Sequence, residues 1–242
     1  MSWAPFINPA HLSEPFKMPE VQSHGFSWEK DLLRNVYGAQ DHELKAIKYT
    51  NKMDLPAVLN HLDSVDVSIK TSCSANTVCM ADCLRIYDAV SSGTPLHMTV
   101  VQYTQEDTTK RLVSIVEVNL TSSKDLLFGT LSRDDIVRLD KLVKSVPQKR
   151  SPTPEEHAAL YKLQGELQAK SGAIYLNIKC NSQQSRLQCS FNKFQAFLAA
   201  HPDRIIAQST TAEFRGKPIL SEVPSAKRQF KKKNAESHST PH

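Results

Sequence analysis

Apolar positions recur at helical spacing soon after the Pro-rich beginning of the chain. In SWEKDLLRNVYG, Trp28, Leu32 and Val36, with Leu33 beside them, mark one face of a short amphipathic helix. Ser27 is placed to cap it and Gly38 to stop it. A second helix is expected over 41–46, after which IKYT and the segment through Asp54 read as extended. Pro56 keeps Leu55 out of helical geometry. DVSIKTS, from Asp66, alternates as a strand does. After the polar loop CSANT, the run VCMADCLRIYDAV predicts a helix with a broad buried face, ended by Gly93 and Pro95.

The β-rich runs LHMTVVQYT and RLVSIVEVNL follow, joined by QEDTTK, and predict neighbouring strands. SRDDIVRLDKLVKSV predicts a helix capped by Ser132. PQKRSPTP then breaks the chain before a further helix over 155–169. GAIYLNIKC and SRLQCSF read as a second hairpin across NSQQ, and FNKFQAFLAAHP as a last helix stopped by Pro202. The expected fold class is mixed α/β, of the α+β kind. Its expected organisation is an N-terminal arm over 1–24, a core over 25–146, a C-terminal helix and hairpin region over 147–224, and a basic tail over 225–242.

Composition narrows the function classes. The 40% hydrophobic and 23% charged fractions of these 242 residues are those of a globular protein. No apolar run approaches the ~20 residues of a membrane span. The N-terminus carries no secretory pattern, so an intracellular location, cytoplasmic or nuclear, is expected. An odd set of five cysteines, Cys73, Cys79, Cys83, Cys180 and Cys189, fits reduced and buried thiols better than a disulfide framework. With no CxxC and no HxxxH, zinc is not expected. His97, His157 and His201 have no acidic or cysteine partner at a useful spacing. Five basic residues near the C-terminus (Lys227, Arg228, Lys231, Lys232 and Lys233) against Glu236 account for most of the formal charge of +5. Such a tail suits phosphate contacts or a nuclear address, or simply a solvated end. Neither a Gly-rich phosphate loop nor G-x-S-x-G is present, and seven glycines leave little room for a nucleotide-cradling turn.

The informative stretch is KYTNKMDLPAVLNHLDSVDVSIKTSCSANTVCMADCLRIYDA. Asp54 lies near the end of an extended segment, and a later strand carries Ser68 and Lys70 on one face. Over residues 25–120 the chain resembles the PD-(D/E)XK superfamily of restriction-endonuclease-like nucleases, whose core runs helix, three strands, helix, strand. The resemblance implies a restriction-endonuclease-like core with a central mixed sheet flanked by helices. It implies Asp54 as the first metal-binding acid and Lys70 as the lysine that positions or activates water, with Mg2+ as cofactor and double-stranded DNA as substrate. It also implies a homodimer, by which two sites would address both strands. Hard Mg2+ takes oxygen ligands and polarises a phosphoryl oxygen, while a lysine adds positive charge near phosphorus.

The chain departs from the pattern two positions before Lys70, where Ser68 stands in place of an acid. Glu29, Asp66 and Asp82, in that order, are candidates for the missing ligand. Ser72, Ser74 and Asn76, in the loop after Lys70, are candidate phosphate contacts, and Gln102 on the next strand a substrate contact. Asn177, Lys179, Gln183 and Arg186 place amides and cations on the second hairpin, a ribbon that could enter a major groove. The expectation is a Mg2+-dependent DNA endonuclease of restriction type. Its rivals are a non-catalytic nucleic-acid-binding protein on the same fold, favoured by Ser68, and an interaction protein in which Asp54 and Lys70 form a plain ion pair.

Overall fold

The computed structural model describes residues 25–46, 53–148, 150–181 and 183–225. The N-terminal arm, the extended reading of IKYT and all but the first residue of the basic tail lie outside them. The order of elements begins with helix α1 (Gly25–Asp31), which runs on into a wider π turn at Leu32–Val36, and α2 (Asp41–Ala46). Strand β1 (Asp66–Ser72), the short β2 (Val78–Asp82) and α3 (Cys83–Ser91) follow. Next come β3 (Leu96–Glu106), β4 (Thr109–Asn119), α4 (Lys124–Phe128), α5 (Arg133–Ser145) and α6 (Pro154–Gln168). The chain continues with β5 (Ile174–Asn181), β6 (Gln184–Phe191), α7 (Phe194–Ala200), β7 (Ile205–Ser209), β8 (Glu213–Phe214), β9 (Lys217–Pro218) and β10 (Glu222–Pro224).

The fold is mixed α/β. Its central sheet has the order β1-β3-β4-β10, with β7 also paired to β4. β1 and β3 are parallel, with Lys70 opposite Val100 and Ser72 opposite Gln102, and the other pairings are antiparallel. A second sheet, β2-β6-β5, is antiparallel.

Both faces of the central sheet are covered. Residues 96–102 of β3 are buried without interruption, the pattern of a strand with core on both sides. On one face Met98, Val100, Val116 and Val118 join a cluster built from α3, α5, α6 and the inner face of the second sheet. On the other, Val67, Ile69, Val101 and Ile115 pack against Trp28, Leu32, Leu33, Val36 and Tyr37, and against Phe214, Ile219 and Val223 from the C-terminal strands. The Trp28 indole N–H donates to the Leu220 carbonyl at 2.8 Å, satisfying the polar edge of a fully buried ring. Residues on both sides of 147–153 share the first cluster, so that segment is a crossing within one packed body.

Four sequence expectations need correction. VCMADCLRIYDAV is not one helix: Val78–Asp82 is a strand, bulged where Ala81 takes a φ of 90°, and the helix starts at Cys83, capped by the Asp82 carboxylate on the Arg85 N–H. Apolar spacing here fits either period, and pairing to β6 decides it. Ser27 lies inside α1 rather than capping it. The strands β3 and β4 extend through QEDTTK to a tight turn in which Asp107 has a φ of 48°. Finally, β7 to β10 were not foreseen, because each is five residues or shorter. The capping boxes of α5 (Ser132 with Asp135) and α6 (Thr153 with Glu156) form as their sequences suggest.

Candidate active site

An isolated antiparallel bridge between Leu55 and Val67 lays residues 53–55 along the outer edge of β1. That contact fixes Asp54. An edge strand presents unpaired N–H groups, and here the Ile69 N–H donates to Asp54 Oδ2 at 2.6 Å. Ser68 Oγ donates to the same oxygen at 3.2 Å and Lys70 Nζ at 2.9 Å. Lys70 also donates to the Ile69 carbonyl at 3.0 Å. Thus Asp54 Oδ2 is saturated by three donors, whereas Oδ1 has no partner among the described residues.

Glu29, on α1, completes the group. Burial first, then the negative charge of Asp54, push its carboxyl up to about 7, while Lys70 and Lys30 pull the other way. Among the described residues Glu29 has no hydrogen bond and no ion pair. Two carboxylates therefore lie within electrostatic reach of one lysine at the partly buried edge of β1, and with all three ionised the group carries a net negative charge. This donor set fits a hard divalent cation: one free oxygen on Asp54, a second carboxylate within electrostatic reach, and an uncompensated charge.

Of the proposed alternatives to Glu29, Asp66 holds the turn at 57–59 through the Ala57 N–H at 2.7 Å, and stands four residues along β1 from Lys70, about 13 Å by strand rise. Asp82 caps α3. No hydrogen bond or ion pair among the described residues joins either to Asp54. Ser68 is a donor to Asp54 in this arrangement.

The residues after Lys70 are placed to shape a loop. Ser72 Oγ donates to the Thr77 carbonyl at 2.7 Å and accepts from the Ser74 N–H at 3.0 Å, and Ser74 Oγ accepts from the N–H groups of Asn76 and Thr77. Asn76 accepts from the Phe194 N–H through its carbonyl and from the Gln195 N–H through its side chain, tying the loop to α7. Gln102 is buried, not exposed. Its amide donates to the Ala75 carbonyl at 2.9 Å and accepts from Ser114 Oγ at 2.8 Å. It holds the loop rather than offering itself to solvent. On the second hairpin Lys179, Gln183 and Arg186 are exposed, and Asn177 donates to Ser190 Oγ at 2.7 Å.

A second cluster was missed. His97 does have acidic partners: its Nδ1 lies 2.8 Å from Glu117 Oε1 and 4.0 Å from Asp63 Oδ2. These three side chains bring ligand atoms within 4.8 Å of one another, close enough to hold a metal ion. Arg215, from the β8–β9 turn, already occupies the group, donating to Glu117 Oε2 at 3.0 Å and Asp63 Oδ2 at 2.9 Å. Asn60 donates to Asp63 Oδ1 at 2.7 Å. Each carboxylate oxygen has a partner, so the cluster is complete as an internal tie. Tyr37, bonded to Thr99 Oγ1 beside it, has its hydroxyl pKa pushed far up by burial and by Glu117.

All five cysteines are free thiols; Cys83 and Cys189 are buried, Cys180 is partly so, and Cys73 and Cys79 are exposed. Contact with Cys83, together with burial, raises the Cys189 thiol pKa. No helix among the described residues is long and apolar enough to cross a membrane. No protein-family model, curated protein or solved structure matches the chain.

Proposed function

We propose that this protein is a Mg2+-dependent endonuclease of the PD-(D/E)XK kind that hydrolyses DNA phosphodiester bonds. The observation that carries the reading is the Asp54–Lys70 pair at the edge of β1, with the Glu29 carboxyl within electrostatic reach of both. They come from three separate stretches of chain, and among the described residues the Glu29 carboxylate has no hydrogen bond or ion pair. The parallel β1–β3 pair, with α3 between its strands, and the antiparallel β3–β4 hairpin are compatible with a restriction-endonuclease-like core.

Glu29 and Asp54 Oδ1 are the groups that would hold Mg2+, which when bound supplies a Lewis acid for a phosphoryl oxygen and makes a coordinated water more acidic. The chain's own residues account for the remaining roles. Asp54 is held in one orientation by three donors on its other oxygen. Lys70, 18% exposed along its side chain, places its ammonium at the edge of β1, where charge would build on the phosphoryl oxygens as water attacks in line. Ser68 fills the position of the usual acid and, as a donor, steadies Asp54 without adding a third negative charge. On this reading the second carboxylate is supplied by α1.

Sequence-specific cutting of restriction type, and a homodimer that addresses both strands, are the natural extension of this reading. Incubating the full chain with plasmid DNA in Mg2+ or EDTA, beside Asp54→Ala and Lys70→Ala, tests it. Discrete fragments that need Mg2+ and vanish in both variants are expected. Intact DNA under every metal condition would overturn the catalytic reading. One observation favours a second reading, a nuclease-like fold that binds without cutting: Lys70 is already paired to the carboxylate that a metal would use. A mobility shift without cleavage would support it.

A further inference from the structure

We propose that duplex DNA lies on the outer face of the β2-β6-β5 sheet, with Lys179 and Arg186 as its phosphate contacts. This rests on the nuclease reading for its biological sense but is carried by a separate region. Cross-strand partners share a face, so Tyr175 with Ser190, Asn177 with Gln188, and Lys179 with Arg186 form one surface, extended by Cys79 opposite Ser190. The opposite face of the same strands, Ile174, Leu176, Leu187, Cys189 and Phe191, is in the core. The outer face is therefore polar, and it is open to solvent at Tyr175 (37% exposed), Lys179 and Arg186, whereas Ser190 lies buried beneath it.

Its charge is one-sided. Between Glu166 and Asp203 the sequence holds Lys170, Lys179, Arg186 and Lys193 and not one acid. Lys170 is paired with Asp135. Lys179 and Arg186 stand directly opposite each other, and neither has an ion pair among the described residues; Arg186 donates only to the neutral Gln184 side chain, at 2.9 Å. Like charges placed directly across a strand pair repel. The acid nearest in register, Asp82 opposite Gln188, is engaged in capping α3. The sheet thus holds two cations in unfavourable proximity on an exposed face, an arrangement that a row of phosphates relieves.

Geometry favours duplex DNA over other polyanions. β2 pairs with β6 only from Gln188 onward, so the β5–β6 hairpin projects as a two-stranded ribbon, a width that enters a major groove. Ser185 Oγ donates to the Val143 carbonyl at the end of α5, anchoring the ribbon. The amide of Gln188 stands next in register behind the cations, where base edges would lie, beside Asn177, which is bonded to Ser190. Only residues 73–77 separate β2 from the strand bearing Lys70, so the surface and the cleft belong to adjoining parts of the molecule.

The test is fluorescence anisotropy of a labelled duplex DNA with the full chain in EDTA, over a range of salt concentrations. Wild type is compared with Lys179→Gln/Arg186→Gln and with a charge-matched control, Lys141→Gln/Lys162→Gln, on exposed helix positions. The face variant is expected to bind about tenfold or more weakly at low salt, and to lose about two from the log–log salt slope, one per phosphate contact. Relief of like-charge repulsion means that it keeps its fold, checked by circular dichroism. Alkylation of Cys79 in a Cys73→Ser background is expected to slow when duplex is present. An unchanged slope, or no binding by wild type, would overturn the proposal. So would equal competition by duplex RNA, which would reassign the surface. Cleavage assays keep the two ideas apart. Mg2+-dependent cutting by a face variant that binds normally removes this inference alone, whereas lost binding by a protein that never cuts removes only the nuclease reading.

Discussion

The same central sheet carries two groups of charged side chains, and they are built to opposite ends. At the outer edge of β1, Asp54, Lys70 and Glu29 form an open set: one Asp54 oxygen has three donors, and among the described residues the other oxygen and the Glu29 carboxylate have no partner. On the face under Tyr37, Asp63, His97, Glu117 and Arg215 form a closed set in which Arg215 forks between two carboxylates and His97 and Asn60 take the remaining oxygens. The closed set has the deepest member, Glu117, whose side chain is fully buried, while Asp63 and Arg215 are about as exposed as Lys70. A buried carboxylate left unpaired costs several kcal/mol, so a closed set is what folding alone demands. In the open set Asp54 stays partly exposed, and its second oxygen has no partner among the described residues.

The largest expected effect separates the two by activity. Asp54→Ala should lower Mg2+-dependent cleavage by about a thousandfold or more while changing the urea midpoint little, since it removes the anchor of a developing charge and not a core contact. Arg215→Met should do the reverse. It leaves Glu117 and Asp63 uncompensated, and equilibrium unfolding should show a loss of about 3–5 kcal/mol at neutral pH, with cleavage per folded molecule retained. An Arg215→Met protein as stable as wild type would mean that the closed set is not an internal tie. An active Asp54→Ala protein would remove the open one.

Glu29 provides a contrast in pH. Its folded carboxyl is raised to about 7 from an ordinary 4.5, so between those values the folded chain binds a proton that the unfolded chain has released. Stability therefore falls as pH rises from about 4.5 through 7, by roughly 3 kcal/mol in the metal-free protein. Glu29→Gln should flatten that part of a urea-stability profile and raise metal-free stability at pH 8. Mg2+ should recover stability for wild type at pH 8 but not at pH 5, where Glu29 is protonated. A profile that Glu29→Gln leaves unchanged would place the residue outside the cleft.

The open set was more legible in sequence than the closed one, for a physical reason. Asp54, Ser68 and Lys70 lie within seventeen residues, and strand alternation alone puts Ser68 and Lys70 on one face. Glu29 was reachable because α1 is a short amphipathic helix whose polar edge must lie beside its buried Trp28. The closed set draws on a loop, two central strands and the β8–β9 turn, with His97 and Arg215 more than a hundred residues apart. No local period links them, and a histidine in a strand shows nothing of what lies opposite. The strand Val78–Asp82 was misread for a similar reason: its apolar spacing suits a helix, and only its non-local pairing with β6 makes it extended. Gln102 read as a substrate contact because nothing near it in sequence announces the loop carbonyl that it holds.

The smallest predicted effect bears on why the open set tolerates a serine where an acid is the expected ligand. Ser68→Ala removes one of three donors to Asp54 Oδ2, and the longest of them at 3.2 Å, leaving the Ile69 N–H and Lys70 in place. A hydrogen bond to a charged acceptor contributes about 1.5–3 kcal/mol; for the longest of the three the lower figure applies, so cleavage should fall by about tenfold, against the thousandfold loss expected for Asp54→Ala. Mn2+ affinity measured by calorimetry should change little, because Ser68 orients a ligand and is not one. If Ser68→Ala instead abolished Mn2+ binding, the serine oxygen would itself be a ligand, and the role given to Glu29 would pass to Ser68.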